Sequence, residues 1–310
     1  MSGPADLLQG RAEILKLARL LGRDPAQFAY LETVALDDLR ALREQTVEVL
    51  WNADAATMSR LAAASRLLPV ALTATIAQRA FGPLLAARMA GHLEPERAVD
   101  VAAKLPTEFL AEVASELDPR RSSAVLALIP SWQVAAITRR LVARGEQVTM
   151  GRFVGHLGDD AIRAALAEMD DPTLLRVGFV LEDKRRLPHL LGLLAPGRLD
   201  ALIATAAEHD LWIEALDLLN HLDPDRRSAI VASAITLDDA ALEAIIGAVI
   251  EHQLWDEALI IAEGDAALQA KLAERLPGLP RAQRRALARR ASQAGGLDRL
   301  GPFGAALANV

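Results

Sequence analysis

Cysteine is absent from this chain of 310 residues, and aromatic residues make up only 4% of it. The lack of cysteine excludes a disulfide framework, a thiolate metal site and a cysteine nucleophile. Because alanine and leucine dominate while aromatic and β-branched runs are scarce, the composition favours helices over strands. Hydrophobic residues (52%) and charged residues (24%) occur in the proportions of a folded chain.

The common catalytic and nucleotide-binding motifs are also missing. The sequence contains neither Gly-x-Gly-x-x-Gly nor Gly-x4-Gly-Lys-Ser/Thr, the loops whose backbone amides hold phosphates. Gly-x-Ser-x-Gly and His-Glu-x-x-His are absent as well. We therefore expect no enzyme. An active site at the junction of the N-terminal segment with the rest of the chain is the hypothesis that ranks last.

No uncharged run is long enough to span a bilayer, which needs about 20 apolar residues. The longest run, Ser122–Thr138, has 17 residues and carries Pro130 at its centre. The chain also opens without a basic and apolar leader followed by a small-residue cleavage site. We therefore expect a soluble cytoplasmic protein with no membrane insertion.

Acidic residues outnumber basic residues in this chain, except near the C-terminus. The net charge is −7, which argues against nucleic-acid binding by the main body of the chain. Residues 281–299, in contrast, contain six Arg and one Asp, a net charge of +5. A helix there could dock on an acidic protein, a nucleic acid or an anionic membrane; the alternative is a solvated terminal helix. The predicted partner-binding arginines are Arg281, Arg284, Arg285, Arg289 and Arg290.

What the sequence does have is an internal repeat. Gly91-His92-Leu93 returns as Gly155-His156-Leu157 and as Asn220-His221-Leu222, at spacings of 64 and 65 residues. A finer period of 12 lies inside two of these blocks. Its two series are Leu93, Leu105, Leu117, Ile129 and Leu157, Met169, Leu181, Leu193. Two nested periods are typical of a stacked helical solenoid.

Proline marks the limits of the short units between residues 93 and 130. Leucine or isoleucine stands one or two positions before Pro95, Pro106, Pro119 and Pro130. Proline at a first helical turn starts a helix and stops the one before it. A unit of 12 residues therefore holds a helix of about two turns, which is stable only when it packs on both neighbours.

The repeat period and the positions of the prolines divide the chain into four predicted parts. Residues 1–68 do not match the period, and we predict an N-terminal helical segment there. Residues 69–235 hold the short superhelical repeats, and residues 236–293 hold longer helices, of which the last is basic. Gly295 and Gly296 open a predicted flexible tail over 294–310.

The series of short predicted helices, each limited by a leucine or isoleucine one or two positions before a proline, resembles the intracellular N-terminal domain of MgtE-type magnesium channels. That domain is a right-handed superhelix similar to the middle domain of the flagellar rotor protein FliG. The resemblance covers roughly residues 69–235 and implies an all-α, right-handed helical solenoid of the HEAT or armadillo kind. Nothing here resembles the CBS pair or the membrane domain of those channels, so transport is not implied. The stretches that carry the resemblance are Leu93–Pro106, Leu117–Pro130, Leu157–Asp171 and Leu222–Ala234.

The resemblance also implies a weak Mg²⁺ site, because acidic side chains of the family domain help to hold Mg²⁺. Carboxylate oxygens are suitable ligands for this ion. The alternative is that each acidic pair caps a helix start, where it satisfies free amides and complements the helix dipole. The candidate metal ligands are Asp159, Asp160, Asp170, Asp171, Glu182 and Asp183.

Histidine is a frequent acid–base and metal-binding residue, but five of the six histidines occupy repeated positions. His92, His156 and His221 share one position, and His209 and His252 share another. A residue that recurs in each unit supports the unit, whereas an active site is built once from different residues. We therefore interpret these histidines as structural.

One tryptophan stands apart from the repeats. Trp212 and Trp255 occupy one repeated position, so we predict that they pack inside the fold. Trp132 follows Pro130 and Ser131 near a predicted helix start, and we expect its side chain to be exposed. Because tryptophan is favoured at binding hot spots, we predict Trp132 as a partner-binding residue.

These patterns predict a non-enzymatic cytoplasmic interaction or regulatory module. It would bind an unidentified protein partner along one surface of a helical repeat array, and it would need no cofactor. The alternative is a divalent-cation-responsive regulator that uses the acidic pairs. Nucleic acid is expected as a partner only through the arginine-rich helix at residues 281–290.

Overall fold

The computed structural model describes residues 4–52, 55–195, 197–223, 259, 262–263, 266–293 and 296–309. These residues form α-helices joined by short turns, 3₁₀ segments and a π-helical stretch, and no strand occurs among them. The predicted all-α class is therefore confirmed. The predictions made for His252 and Trp255 and for the boundary at residue 235 fall outside the described residues.

Residues 12–183 form one compact unit. The unit includes most of α1, which begins before residue 12. Its helices are α1 Pro4–Leu21, α2 Leu36–Asn52, α3 Ala55–Ser65, α4 Val70–Ile76, α5 Gly82–Ala90, α6 Pro95–Ala102, α7 Thr107–Glu116, α8 Ser123–Leu126, α9 Ser131–Ala143, α10 Gln147–Phe153, α11 Asp159–Ala167 and α12 Asp171–Phe179.

Residues 1–11 and 184–310 form the second compact unit. This division into two units does not test the four parts predicted from the sequence, which stay a prediction. The helices of the second unit, within the described residues, are α13 Leu187–Leu191, α14 Arg198–Glu208, α15 Trp212–Asn220, α16 Ala266–Arg275, α17 Arg281–Gln293 and α18 Gly301–Ala308.

Prolines start helices at three of the four predicted places. Pro95 is the first residue of α6, Pro106 directly precedes α7 and Pro130 directly precedes α9. Proline fits because the first N–H groups of a helix have no partner within the helix. After Pro119, in contrast, the next helix begins only at Ser123.

Alternate helices pack on one another in the unit of residues 12–183. Helix α3 packs on α5, α5 on α7, α7 on α9 and α9 on α11, while α4 packs on α6, α6 on α8 and α10 on α12. Contacts on both sides stabilise helices that would be too short to persist alone. The largest buried cluster consists of Ala111, Ala114, Val134, Leu141, Met150, Ala161, Ala165, Met169 and Val177.

A flexible tail is predicted for residues 294–310, of which the structure describes residues 296–309. A short 3₁₀ segment leads into α18, which packs on α16 and α17. Leu300, Phe303 and Leu307 are at most 5% exposed. Leu300 ends the 3₁₀ segment, and Phe303 and Leu307 lie in α18. The flexible tail predicted from the glycine pair stays a prediction.

One helical stretch, Val70–Ala90, is long and apolar enough by length and composition to cross a membrane. It has 21 residues, and a window of 18 residues within it has a mean hydropathy of 1.2 and is 17% buried. It consists of α4, the π-helical segment Ala77–Phe81 and α5. Because length and composition alone also fit a helix of a water-soluble fold, the predicted absence of membrane insertion stays a prediction.

Candidate functional site

Helix α1 carries two charged side chains within an apolar core. Glu13 and Lys16 are each 4% exposed, and Nζ of Lys16 lies 2.8 Å from Oε1 of Glu13. Residues three apart in a helix lie on one face, so the two charges can meet. Neutralisation by a close partner is what makes the burial of two ions tolerable. The buried apolar residues of α1 are Leu8, Ala12, Ile14, Leu17 and Ala18.

Arg43 of α2 joins this pair. Its Nε donates a hydrogen bond to Oε2 of Glu13 at 2.8 Å. Its Nη1 and Nη2 donate to Oε1 and Oε2 of Glu182 at 3.0 and 3.1 Å, a bidentate pair. We call Glu13, Lys16, Arg43 and Glu182 the α1 ion network. The other buried residues of α2, at the same spacing of four, are Leu39, Val47 and Trp51.

The α1 ion network sets the charge state of its buried members. Burial alone would raise the pKa of Glu13, but the charges and hydrogen bonds of Lys16 and Arg43 outweigh it and hold that pKa below its usual value. Burial likewise opposes the charged form of Arg43, but Glu182 and Glu13 outweigh it and raise its pKa. Both groups are therefore charged in the folded protein at neutral pH.

A second group of charges surrounds Asp118, in the turn between α7 and α8. Oδ1 of this buried carboxylate accepts hydrogen bonds from the backbone N and Nε of Arg120, at 3.1 and 3.5 Å. Oδ2 lies 3.6 Å from Nε of Arg121 but has no hydrogen-bond partner among the described residues. The same holds for Oγ of Ser122 within the described part of the chain. Buried polar atoms are normally paired, so this turn has unused hydrogen-bonding capacity.

Arg152 of α10 is the cation that lies near both groups. Burial lowers the pKa of this guanidinium. The charges of Asp118 and Glu182 raise it in part, whereas the like charges of Arg43 and Arg120 lower it further. Carboxylates and guanidinium groups from several segments therefore influence the charge state of Arg152.

Four of the six predicted metal ligands lie at helix starts. Asp159 and Asp160 are in the first turn of α11, and Asp171 is the first residue of α12. Asp170 caps α12, because its Oδ1 accepts a hydrogen bond from the backbone N of Thr173 at 2.9 Å. The capping interpretation is therefore confirmed for Asp170.

Glu182 and Asp183 follow α12. Glu182 belongs to the α1 ion network, where its carboxylate binds Arg43. Asp160 lies beside Arg163, with Nη1 2.9 Å from Oδ1. No three His, Asp or Glu side chains come together as a metal centre would need in the part of the chain that the structure describes. The six-residue Mg²⁺ site stays a prediction.

The tryptophans differ in exposure, and Trp132 and Trp212 have the exposure that the sequence predicts. Trp132, at the start of α9, is 67% exposed, whereas Trp212 of α15 is 5% exposed. Trp51 is also buried, and its ring is stacked on that of His92 with 6.4 Å between centroids. Trp132 is thus an exposed aromatic residue that the packing of the fold does not explain.

The predicted arginines lie on α17. Arg281, Arg285 and Arg289 are exposed and four residues apart, so they form one cationic edge of the helix. Arg284 and Arg290 are partly buried. A partner for this edge stays a prediction.

Three of the repeated histidines lie at helix ends. His92 follows α5, His156 ends the 3₁₀ segment after α10, and His221 follows α15. The ring of His221 lies between Gln9 Nε2, at 2.9 Å, and the carbonyl oxygen of Asp217, at 2.7 Å. These hydrogen bonds hold the end of α15, in keeping with a structural role.

The α1 ion network was not predicted from the sequence. Glu13, Lys16 and Arg43 are ordinary surface residues by type, and a motif search does not single them out. The available signal was periodicity: Arg43 stands between Leu39 and Val47 at a spacing of four, on the apolar side of α2. A charged residue at such a position indicates a buried partner.

Comparison with known proteins gives no match: no protein-family model, no curated protein and no solved structure matches this chain.

Proposed function

We propose that this protein is a non-enzymatic interaction module that binds a protein partner through the surface around Trp132. The observation that carries the proposal is the exposure of the Trp132 side chain, 67%. A large aromatic side chain exposed to water gains much free energy when a partner buries it. Tryptophan is accordingly enriched among the residues that dominate binding energy.

Trp132 does not stand alone. Leu128, four residues earlier, is 47% exposed, and Ala124 and Ala127 of the same segment are exposed as well. These exposed apolar side chains are close to Trp132 in the sequence. An apolar patch that a fold leaves uncovered is typical of a protein interaction site. The exposed arginine edge of α17 is a second surface that we propose for contact with an acidic partner.

We further propose that the helices of residues 69–235 form a right-handed solenoid, similar to the N-terminal domain of MgtE-type channels. The packing of alternate helices, α3 on α5 through to α9 on α11, supports a repeating arrangement. We also propose a cytoplasmic location, as the sequence analysis predicts. The Mg²⁺-responsive alternative stays a prediction, since no contact among the described acidic residues favours it.

The test is capture of partners from a cell lysate with three purified proteins: the unaltered chain, Trp132→Ala and Tyr30→Ala. Tyr30 is a matched control, because it is an aromatic residue with the same degree of exposure, 70%, on a different segment. We expect a protein that the unaltered chain and Tyr30→Ala both capture in stoichiometric amounts and that Trp132→Ala loses. If every captured protein binds Trp132→Ala as well as the unaltered chain, this surface is not the interaction site.

A further inference from the structure

The interval between Asp54 and Glu94 contains no acidic residue, and it is the longest such interval in the sequence. It contains four arginines and no lysine, so its net charge is +4 at neutral pH, whereas that of the whole chain is −7. Arg60 of α3 and Arg79 of the π-helical segment are exposed, and neither side chain forms a hydrogen bond or an ion pair within the described residues. Their positive charges are therefore not neutralised by those residues.

Apolar side chains are exposed in the same interval. Leu67, in the turn between α3 and α4, is 88% exposed, and Leu72 of α4 is 46% exposed. Thr75 of α4 is exposed too, but its Oγ1 donates a hydrogen bond to the carbonyl oxygen of Ala71 at 2.9 Å, so its hydroxyl adds little polarity. An apolar surface that the fold leaves uncovered is typical of a binding site.

Arg97 of α6 holds this region together. Its Nη2 donates hydrogen bonds to the carbonyl oxygens of Ser65 and Leu68, at 2.5 and 2.7 Å, and to Oγ1 of Thr73 at 3.3 Å. One nitrogen atom thus joins the end of α3, the turn and α4. The two exposed leucines are each next in the sequence to one of these bonded residues, so they lie in one small region whose backbone is held in place.

The segment is apolar enough for a bilayer but is not arranged to span one, which takes about 20 residues in a continuous helix. Within Val70–Ala90, Gly82 has a φ of +72° and is followed by Pro83, so the helix direction changes there. Before Gly82 lie only the seven residues of α4 and the five of the π-helical segment. The apolar window of 18 residues is 17% buried, whereas a core helix would be mostly buried.

We propose that this region binds the surface of an anionic lipid bilayer. We call Arg60, Leu67, Leu72 and Arg79 the α3–α4 surface. The leucines would enter the boundary between headgroups and acyl chains, and the arginines would bind lipid phosphates. An anionic bilayer complements both features of the region, its exposed apolar side chains and its excess of positive charge. The proposal goes beyond the interaction at Trp132, and either can fail alone.

The test is co-sedimentation of the purified full chain with lipid vesicles. One set of vesicles contains phosphatidylcholine and phosphatidylglycerol in equal parts, and the other contains phosphatidylcholine alone. The variants are Leu67→Ser and the double variant Arg60→Gln with Arg79→Gln. Two matched controls remove an exposed leucine and an exposed arginine elsewhere: Leu128→Ser, 47% exposed, and Arg163→Gln, 53% exposed.

We expect the unaltered protein to bind the anionic vesicles more strongly than the neutral ones, and high salt to release it, because salt screens the attraction. Leu67→Ser should weaken binding by about tenfold or more, since a leucine side chain no longer leaves water. The double arginine variant should weaken it by about 25-fold, because each basic residue near an anionic surface contributes about fivefold. The two controls should bind as the unaltered protein does.

Thermal unfolding without lipid supplies a second reading. Because all the altered residues are exposed, each variant should unfold at the temperature of the unaltered protein, so a loss of binding would report on the surface itself. Equal binding of Leu67→Ser, the double variant and the unaltered chain to anionic vesicles would overturn the proposal. Absence of binding to either kind of vesicle would overturn it as well. Self-association that only Leu67→Ser abolishes, measured by analytical ultracentrifugation, would assign the surface to a second copy of the chain instead.

Discussion

Glu13 and Arg43 form an ion pair that is buried on both sides, with Nε 2.8 Å from Oε2 and side chains 4% and 8% exposed. The pair joins α1 to α2, and Arg43 extends it to Glu182 through two further hydrogen bonds. A buried ion pair of this kind is costly to break from one side, because the remaining charge keeps its desolvation cost and loses its partner. The α1 ion network therefore makes a direct prediction about stability.

Replacement of Arg43 by methionine should lower the free energy of unfolding by about 3–5 kcal/mol, the usual cost of breaking a buried ion pair. Arg40→Met is the matched control. Arg40 also lies near Glu13, at 3.9 Å, but its side chain is 40% exposed, so we expect a loss of only about 0–1 kcal/mol. Urea unfolding followed by circular dichroism measures both. Equal losses for the two variants would contradict the buried network.

Acid should weaken the fold through Glu13. Its pKa is below the usual 4.5 in the folded protein, because Lys16 and Arg43 outweigh the effect of burial. A carboxylate with a depressed folded pKa contributes stability above its unfolded pKa and loses that contribution as the pH falls through the folded value. The unfolding midpoint of the unaltered protein should therefore drop below about pH 4.5.

Glu13→Gln tests the origin of this drop. The variant starts from a lower midpoint at pH 7, since the charges of Lys16 and Arg43 lose their partner, and it should then fall less between pH 5 and pH 3. Glu96→Gln, which removes an exposed carboxylate, is the control and should keep the full drop. Thermal unfolding at half-unit pH steps measures the three proteins. A drop of equal size in Glu13→Gln would assign the acid sensitivity to other groups.

The sequence predicts the parts of this fold that depend on local chemistry. Proline at Pro95, Pro106 and Pro130 and the cap at Asp170 act within a few residues, so the pattern alone places the helix starts. The exposure of Trp132 also follows from its position outside the repeat. These features need no knowledge of which helix packs on which.

The electrostatic surroundings of Arg152 cannot be predicted from the sequence in this way. Asp118, Glu182 and Arg152 belong to different segments, and their mutual effect on pKa depends on tertiary packing. A sequence motif cannot reveal which charges act on Arg152, because they depend on every neighbour in space. The predicted tail depends on the glycine pair Gly295-Gly296, whereas the burial of Phe303 depends on helices distant in the sequence.

Gly151→Ala should destabilise the protein although alanine normally favours a helix. A Cβ at this position of α10 would lie 2.9 Å from Cγ2 of Val180 and 3.1 and 3.2 Å from the carbonyl oxygens of Val180 and Val177. Two of these three neighbours are backbone atoms, which cannot rotate away. We expect a loss of about 1–3 kcal/mol in the free energy of unfolding, as for other overpacked cores. Gly158→Ala is the control, because no atom lies within 4 Å of its added Cβ. A stabilised Gly151→Ala protein would show that α10 and α12 can move apart.

Asp170 offers a way to separate helix capping from metal binding. Its Oδ1 accepts the hydrogen bond of the Thr173 backbone N, and asparagine can accept the same bond. Asp170→Ala should therefore lower the free energy of unfolding by about 0.5–2 kcal/mol, whereas Asp170→Asn should stay close to the unaltered protein. If Asp170 instead served a Mg²⁺ site, both variants would lose the Mg²⁺-dependent part of the unfolding midpoint. Thermal unfolding with and without Mg²⁺ at constant ionic strength distinguishes the two roles.

Phe303→Ala should show whether the C-terminal helix is part of the folded core. Phe303 is 5% exposed in α18, which packs on α16 and α17, so its truncation should cost about 3–5 kcal/mol in the unit that contains it. Arg299→Ala is the control, since its side chain is 70% exposed and should contribute about 0–1 kcal/mol. Urea unfolding measures both, and limited proteolysis adds a second reading, because a packed helix resists cleavage while a tail is removed first. If residues 296–309 were a tail, Phe303→Ala would unfold like the unaltered protein and a protease would trim the segment without affecting the rest.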